Sequence, residues 1–291
     1  MWDTRKNAYR VISVAFIFAY FFTASGQSCL FSGLSRKQKN ASRRLLFQKD
    51  RSFYLSPEKY HPVDLLKDVL LLNLDLVTFD TYAIFASIFP FYIAARMHDE
   101  KVHSYFYCRA HHKNRCQMPQ WCDNFARFGM AIPIIGLGSL AFFSSDAELR
   151  LTSWAFVLGL PFLVFGNKIT KKIRFEACYR PWNEHFSSKK RSPGGFPSGH
   201  AAYVTYMTVL YGLRYGRSWA IPLGLYSAFV GINFCVCNRH YFSQIIAGIG
   251  LGTMYAFAAN RFVESRLAQK GYLYCGTDSC GTPGIGVRFK F

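Results

Sequence analysis

Acidic residues are scarce in this chain. Asp and Glu number 16 against 35 Lys and Arg in 291 residues, a formal charge of +19. Such an imbalance calls for an anionic partner: nucleic acid, an anionic membrane surface or an anionic substrate. Nucleic acid is set aside, because the chain has no basic amphipathic helix and no nucleic-acid module. A second CxxC pair is also missing, and Cys235 and Cys237 stand too close together in an apolar context, so the nine cysteines do not form a zinc pattern. Strand alternation is absent before the tail, which excludes a β-class fold. There is no internal repeat and no low-complexity segment. Unbroken hydrophobicity is lacking too: the mean hydropathy is only slightly positive, so sizeable polar loops must separate the apolar runs.

Apolar and aromatic residues are plentiful. Half the chain is apolar, with 29 Phe and 18 Tyr, enough for a large core and too much for a disordered chain. The basic residues cluster between apolar stretches, at 36–51, 96–115, 168–191 and 261–270, where lipid headgroups favour them. Solvated faces of a soluble basic protein are the competing reading. Residues 1–26 carry Arg5, Lys6 and Arg10, an apolar run from Val11 to Phe22, and then Ala24-Ser25-Gly26. This pattern fits either a cleaved signal peptide or an anchor helix. A basic loop and a short amphipathic helix near 63–73 fill 27–74. Six apolar stretches follow, at about 75–95, 128–145, 151–166, 201–214, 219–237 and 245–261, with Asp80 and Pro90 inside the first. The expected fold is all-α, a multi-span membrane helix bundle whose six-helix core occupies 75–262. A Gly-rich tail over 263–291 can close as a hairpin.

Two polar inserts separate the spans. The first, 96–126, holds His98, His103, His111 and His112 beside Cys108, Cys116 and Cys122. Its spacing fits no usual ligand pattern. Those cysteines, like Cys275 and Cys280, read equally as disulfides in an oxidising compartment or as free thiols. The second insert, 167–200, leads into Phe196-Pro197-Ser198-Gly199-His200, directly before an apolar run. Ser198 is a natural N-cap, Gly199 lets backbone approach an anion, and a helix start offers unpaired N–H groups to phosphate. His240 precedes the last apolar run in the same way, with Ser243 as a candidate cap. The helices 201–214 and 219–237 should form an antiparallel pair turning near Gly216, so His200 and His240 return to one face, joined there by Arg180. Two imidazoles and a guanidinium around one anion suit phosphoryl transfer.

In this order the segments resemble the type-2 phosphatidic acid phosphatase superfamily. That family carries a lysine, six residues, then Arg-Pro; next Pro-Ser-Gly-His; then Ser-Arg, five residues, a His, three residues and an Asp. Arg180-Pro181 and Pro197-Ser198-Gly199-His200 look like the first two motifs, and His240-Tyr241-Phe242-Ser243-Gln244 like the end of the third. The resemblance implies His240 as nucleophile, forming a phosphohistidine, and His200 as acid and then base. It implies Arg180, Lys172, Ser198 and Gly199 as phosphate holders, with no metal and no cofactor. Three positions depart from the pattern. Lys172 stands one residue outside the lysine spacing, which falls on Ile173. The third-motif arginine is Phe234, with Arg239 as its substitute. The closing carboxylate is Gln244, an acceptor that can still orient the His240 ring. The implied activity is a membrane phosphatase acting on a lipid phosphate or lipid pyrophosphate monoester, with its catalytic face periplasmic or lumenal and no obligatory protein partner. A non-catalytic lipid-phosphate binder and a phosphotransferase of the same fold are the alternatives.

Overall fold

The computed structural model describes residues 62–116, 118–184, 191–268, 271–277 and 283–289. The expected signal or anchor at 1–26, the basic loop up to 61 and Cys280 lie outside the described residues. The architecture is all-α. Helix α1 covers Pro62–Leu74 and α2 Phe79–Phe106; the two-residue strands β1 (Tyr107–Cys108) and β2 (Lys113–Asn114) follow. Helices α3 (Gln120–Phe128), α4 (Ala131–Phe143), α5 (Ala147–Thr170), α6 (Gly199–Tyr215), α7 (Arg217–Val236) and α8 (Phe242–Ala268) complete the bundle, and an antiparallel hairpin, β3 (Gly271–Thr277) with β4 (Pro283–Phe289), forms the tail.

Among the described residues four helices are long and apolar enough to cross a membrane: Gln120–Phe143, in which α3 runs on into α4, α5, α7 and Phe242–Leu267 within α8. The pair Leu66–Leu74 and Phe79–Phe106, bent by 51°, makes a fifth if it counts as one span. The outward residues of these helices are large and apolar, including Phe79, Trp121, Ile132, Phe143 and Phe165. Water would penalise such a surface, whereas hydrocarbon accepts it. The molecule is therefore an integral membrane protein. Helix α6 has 17 residues and is not among those spans. It sits in the middle of the bundle, where Ala202, Val204, Tyr206, Met207, Leu210 and Tyr211 are buried.

The sequence reading ends the first apolar helix near 95 and treats the polar stretch beyond it as a loop. The structure instead continues α2 to Phe106. Its last turns are polar because they face the end of the bundle rather than lipid.

Small residues set the closeness of the central pair. A Cβ at Gly248 would collide with the Ser198 carbonyl, and one at Gly252 with the Ala202 carbonyl, so α8 lies directly against the first turns of α6. Helix α5 is tied to α6 by Tyr206, whose hydroxyl donates to the Ala155 carbonyl at 3.0 Å, and by Ser153 with Tyr211 at 2.8 Å. Gly216, at φ 77°, makes the turn between α6 and α7. Asp80 pairs with Arg261, which gives the charged residue at the start of α2 a partner on α8. The alternating chain direction brings the ends of α2, α5 and α7 and the starts of α3, α6 and α8 to one face.

Candidate active site

Each element contributes to that face through its polar end. The turn between α7 and α8 carries His240. Asn238 takes the left-handed conformation there, at φ 52°, which Asn tolerates better than bulkier residues. Its Nδ2 donates to the Phe106 carbonyl at 3.2 Å and to Asn114 Oδ1 at 3.0 Å. Asn183 Nδ2 donates to the Cys237 carbonyl at 2.6 Å. The turn is thus held from outside by α2, the small hairpin and the loop after Arg180.

His240 is only 4% exposed. Its Nδ1 lies 3.2 Å from Gln244 Oε1. Gln244 Nε2 donates to the carbonyls of Ala177 and Tyr179 at 2.9 and 2.8 Å. Because those carbonyls accept only, the amide oxygen must face His240. The imidazole then carries its proton on Nδ1 and presents an unprotonated Nε2. Gly195 is required beside this amide, since a Cβ there would meet its Nε2 and Oε1 at 2.6 Å.

Ser198 and Gly199 open α6. Ser198 N donates to the Gln244 carbonyl at 2.9 Å, which locks the two helix starts together. Ser198 occupies the N-cap position, yet its side chain makes no capping bond. Its Oγ is buried with no hydrogen-bond partner among the described residues, so this hydroxyl is free to meet a ligand oxygen. Asn167 Nδ2 fixes the approach by donating to the Pro197 carbonyl at 3.2 Å. Ser243, a candidate cap in the sequence, lies inside the first turn of α8, and its backbone N–H is accepted by Asp99 of α2.

His200 and His240 face each other across Phe234. The His200 ring meets Phe234 edge-on with centroids 4.7 Å apart, and Phe234 lies 5.9 Å from the His240 ring. Burial pushes the His200 imidazole down to about 4, and the Lys171 charge adds to that. Burial also lowers His240, followed by the charges of Arg180 and Lys171 and by His200 itself. Both effects favour the neutral form of the two rings.

The lysine at the site is Lys171, not Lys172. Lys172 is exposed, whereas Lys171 is half-buried and its charge reaches Arg180, His200 and both rings' surroundings. Helix α5 ends at Thr170, and the tight turn after it, with Lys171 N bonded to the Asn167 carbonyl, brings the earlier lysine inward. Burial, and then the Arg180 charge, depress the Lys171 ammonium to about 8. The Arg180 guanidinium is lowered by burial, then by Arg239 and Arg127. Neither Lys171 nor Arg180 has a carboxylate partner among the described residues.

Arg239 is placed differently from the phosphate-holding role read from its position. Its Nε and Nη2 grip both oxygens of Asp123 on α3, at 2.9 and 2.6 Å. Arg127 lies 3.8 Å from the same carboxylate. Among the described residues Lys171, Arg180, Arg239 and Arg127 therefore gather here with Asp123 among them, an excess of positive charge suited to a multiply charged anion. Asp123 and Arg127 carried no motif signal in the sequence, and Lys171 stood in the first motif segment, where the role was read onto its neighbour Lys172. Among the described residues no group of three or more His, Cys, Asp or Glu could hold a metal ion. His98 and His103 are bonded to the carbonyls of Ala94 and Trp182, and His112 lies 3.2 Å from the Tyr107 hydroxyl. Cys108, Cys116 and Cys122 are free thiols.

Buried His240, half-buried His200, a free helix start and two cations without a carboxylate partner among the described residues meet at one end of the apolar bundle. The family model of the PAP2 superfamily matches residues 154–268, a stretch that contains Lys171, Arg180, Ser198, His200 and His240. The chain's resemblance to that superfamily stands on this stretch. Among solved structures the chain is similar to a transmembrane PAP2 type phosphatidylglycerolphosphate phosphatase from Bacillus subtilis. The identity is 19% over 71% of this chain and 97% of that one, with a TM-score of 0.42. No curated protein matches the chain.

Proposed function

We propose that this protein is a lipid phosphatase that hydrolyses a lipid phosphate or lipid pyrophosphate monoester through a phosphohistidine. The observation that carries this reading is the orientation of His240, whose Nδ1 is engaged by Gln244 and whose Nε2 is left as the free nucleophilic nitrogen. In the first step His240 Nε2 forms a bond to phosphorus while the phosphorus–oxygen bond to the lipid breaks. His200 gives its proton to the leaving oxygen, an alkoxide for a lipid phosphate or the inner phosphate oxygen for a lipid pyrophosphate. In the second step His200 takes a proton from water, the hydroxide attacks phosphorus, and the phosphorus–nitrogen bond breaks to release inorganic phosphate. Lys171, Arg180, the Ser198 hydroxyl and the N–H groups at the start of α6 hold the equatorial oxygens. Burial first, and then the Lys171 and Arg180 charges, disfavour protonated His200; a bound phosphate dianion offsets those two charges, so substrate itself favours the protonated acid.

Several features favour a lipid. The site lies at the end of a bundle whose outer surface is apolar, so a substrate can keep its chains in hydrocarbon while its headgroup meets the cations. We place this face on the periplasmic or lumenal side. The opposite end, with the starts of α2 and α5, then faces the cytoplasm.

Phosphate release from phosphatidate, phosphatidylglycerophosphate, polyprenyl pyrophosphate and a lipid A phosphate tests the reading. His240→Ala should abolish release and His200→Asn should lower it steeply; full activity of purified His240→Ala rejects the nucleophile. Transfer to added alcohols in place of water would indicate a phosphotransferase. Release should persist in excess EDTA, and a loss restored by zinc or magnesium would point to a metal enzyme.

A further inference from the structure

The last polar turns of α2 lie against the residues that follow His240. Asp99 is 1% exposed. Its Oδ1 accepts the Ser243 N–H at 3.0 Å and its Oδ2 accepts the Ser243 hydroxyl. Arg96, one turn earlier and partly exposed, donates to the same Oδ2 at 3.2 Å. One residue on, Glu100 accepts the Tyr241 hydroxyl at 2.7 Å. His103 packs against Tyr241 in a tilted arrangement, with centroids 5.7 Å apart, and bonds the Trp182 carbonyl at 2.9 Å. Arg96, Asp99, Glu100 and His103 recur at helical spacing, so they form one face of α2 directed at Tyr241 and Ser243.

Helix α8 thus receives its N-terminal cap from another helix. An ordinary cap is a Ser, Thr, Asp or Asn just before the helix, but that place is filled by Tyr241. Burying a carboxylate is costly unless its oxygens are fully used. Here both oxygens are used on Ser243, and the positive end of α8 with Arg96 supplies the balancing charge.

We propose that Asp99 is the positioning residue for His240: by capping α8 from α2 it fixes the turn that aims the imidazole, separately from the contact made by Gln244. Asp99 touches neither substrate nor the reacting atoms in this role. It acts through Ser243, three residues beyond the nucleophile. The kinetic part of the test rests on the phosphatase reading, while the chemical part does not.

The experiment uses the full chain in lipid nanodiscs. The rate at which diethyl pyrocarbonate modifies His240 is followed by mass spectrometry, with exposed His111 as internal control. Phosphate release from phosphatidate is measured alongside. Asp99→Ala should speed His240 modification at least about tenfold with His111 unchanged, and lower kcat about 30-fold with KM within about threefold, the cost of a misplaced reacting group. Asp99→Asn keeps an acceptor for the Ser243 N–H and should fall between. Ser243→Ala keeps the N–H and loses the hydroxyl; it should cost about threefold and add little in the Asp99→Asn background. An unchanged His240 modification rate in both Asp99 variants overturns the proposal. A fall in kcat matched by an equal fall in the phosphoenzyme burst also overturns it, because only the folded fraction would then have changed. Wild-type inactivity on every lipid counts against the phosphatase reading, and the modification rates still decide the role of Asp99.

Discussion

Gln244 turns its amide oxygen to His240 Nδ1 at 3.2 Å because its amide nitrogen is claimed by the carbonyls of Ala177 and Tyr179. The backbone of the loop before the helix start therefore selects the imidazole tautomer. Replacing Gln244 with Glu would supply the charge that the related motif carries, but would set a carboxylate oxygen against two carbonyls. We expect Gln244→Glu to be less stable by about 2 kcal/mol, from two acceptors left without a donor, and less active than wild type. Gln244→Ala should lower kcat about tenfold or more through loss of the tautomer lock. Thermal unfolding in detergent and phosphate release check both; a faster Gln244→Glu enzyme would overturn the argument.

The parts of this site that were legible in the sequence share one property: they are marked by local signals. Ser198-Gly199-His200 stand at a helix start, His240 stands before another, and Gly216 turns one helix back on the next. Chain parity then places both histidines on one face. What was illegible depends on pairing across distance. Arg96, Asp99, Glu100 and His103 look like a loop because they are polar, and only the burial of Tyr241 and Ser243 against them explains why α2 continues to Phe106. Lys171 and Lys172 are indistinguishable in sequence, and the turn that closes α5 decides between them. Arg239 looks like a phosphate ligand until Asp123 appears beside it, contributed by a helix more than a hundred residues earlier.

Lys171 gives the site an alkaline limit. Its ammonium is depressed to about 8, so its charge is present below that pH and is lost as pH rises through it. Inorganic phosphate stays dianionic over that range, so a weakening there reports the protein. Competitive inhibition by phosphate should become about fivefold weaker between pH 8 and 9 in wild type, following loss of one facing charge. Lys171→Arg should be flat over the same interval, because a guanidinium keeps its proton. Lys172→Ala should follow wild type. A wild-type profile without this limb, or one abolished by Lys172→Ala, would sink the assignment.

Asp123 withholds a charge from the anion site. It binds Arg239 through both oxygens, with the two side chains 18% and 16% exposed, and it lies 3.8 Å from Arg127. Asp123→Asn removes the carboxylate they share and leaves Arg239 beside Arg180. Phosphate should then bind about threefold more tightly, since screened attraction near the surface is modest. The melting temperature should fall, because the two arginines lose their shared partner. Isothermal titration with phosphate and thermal unfolding measure the two effects; weaker phosphate binding would mean that Asp123 orients a ligand arginine instead.

The contact between α6 and α8 couples stability to activity at one position. Gly248 lies against the Ser198 carbonyl and the Ala201 side chain, and Ser198 N is bonded to the Gln244 carbonyl one turn earlier on α8. An added methyl at Gly248 cannot be taken up by a flexible side chain, because the atom it meets is backbone. Helix α8 must move away from the start of α6, and that movement separates the Ser198 hydroxyl from His240. Gly248→Ala should therefore cost about 2 kcal/mol, the usual penalty of overpacking, and should lower kcat in the surviving folded protein. Gly136, where a Cβ would meet nothing within 4 Å, is the control, and Gly136→Ala should leave both quantities unchanged. If Gly248→Ala lowers the melting temperature but leaves kcat per phosphorylated site intact, the two helix starts are not rigidly coupled.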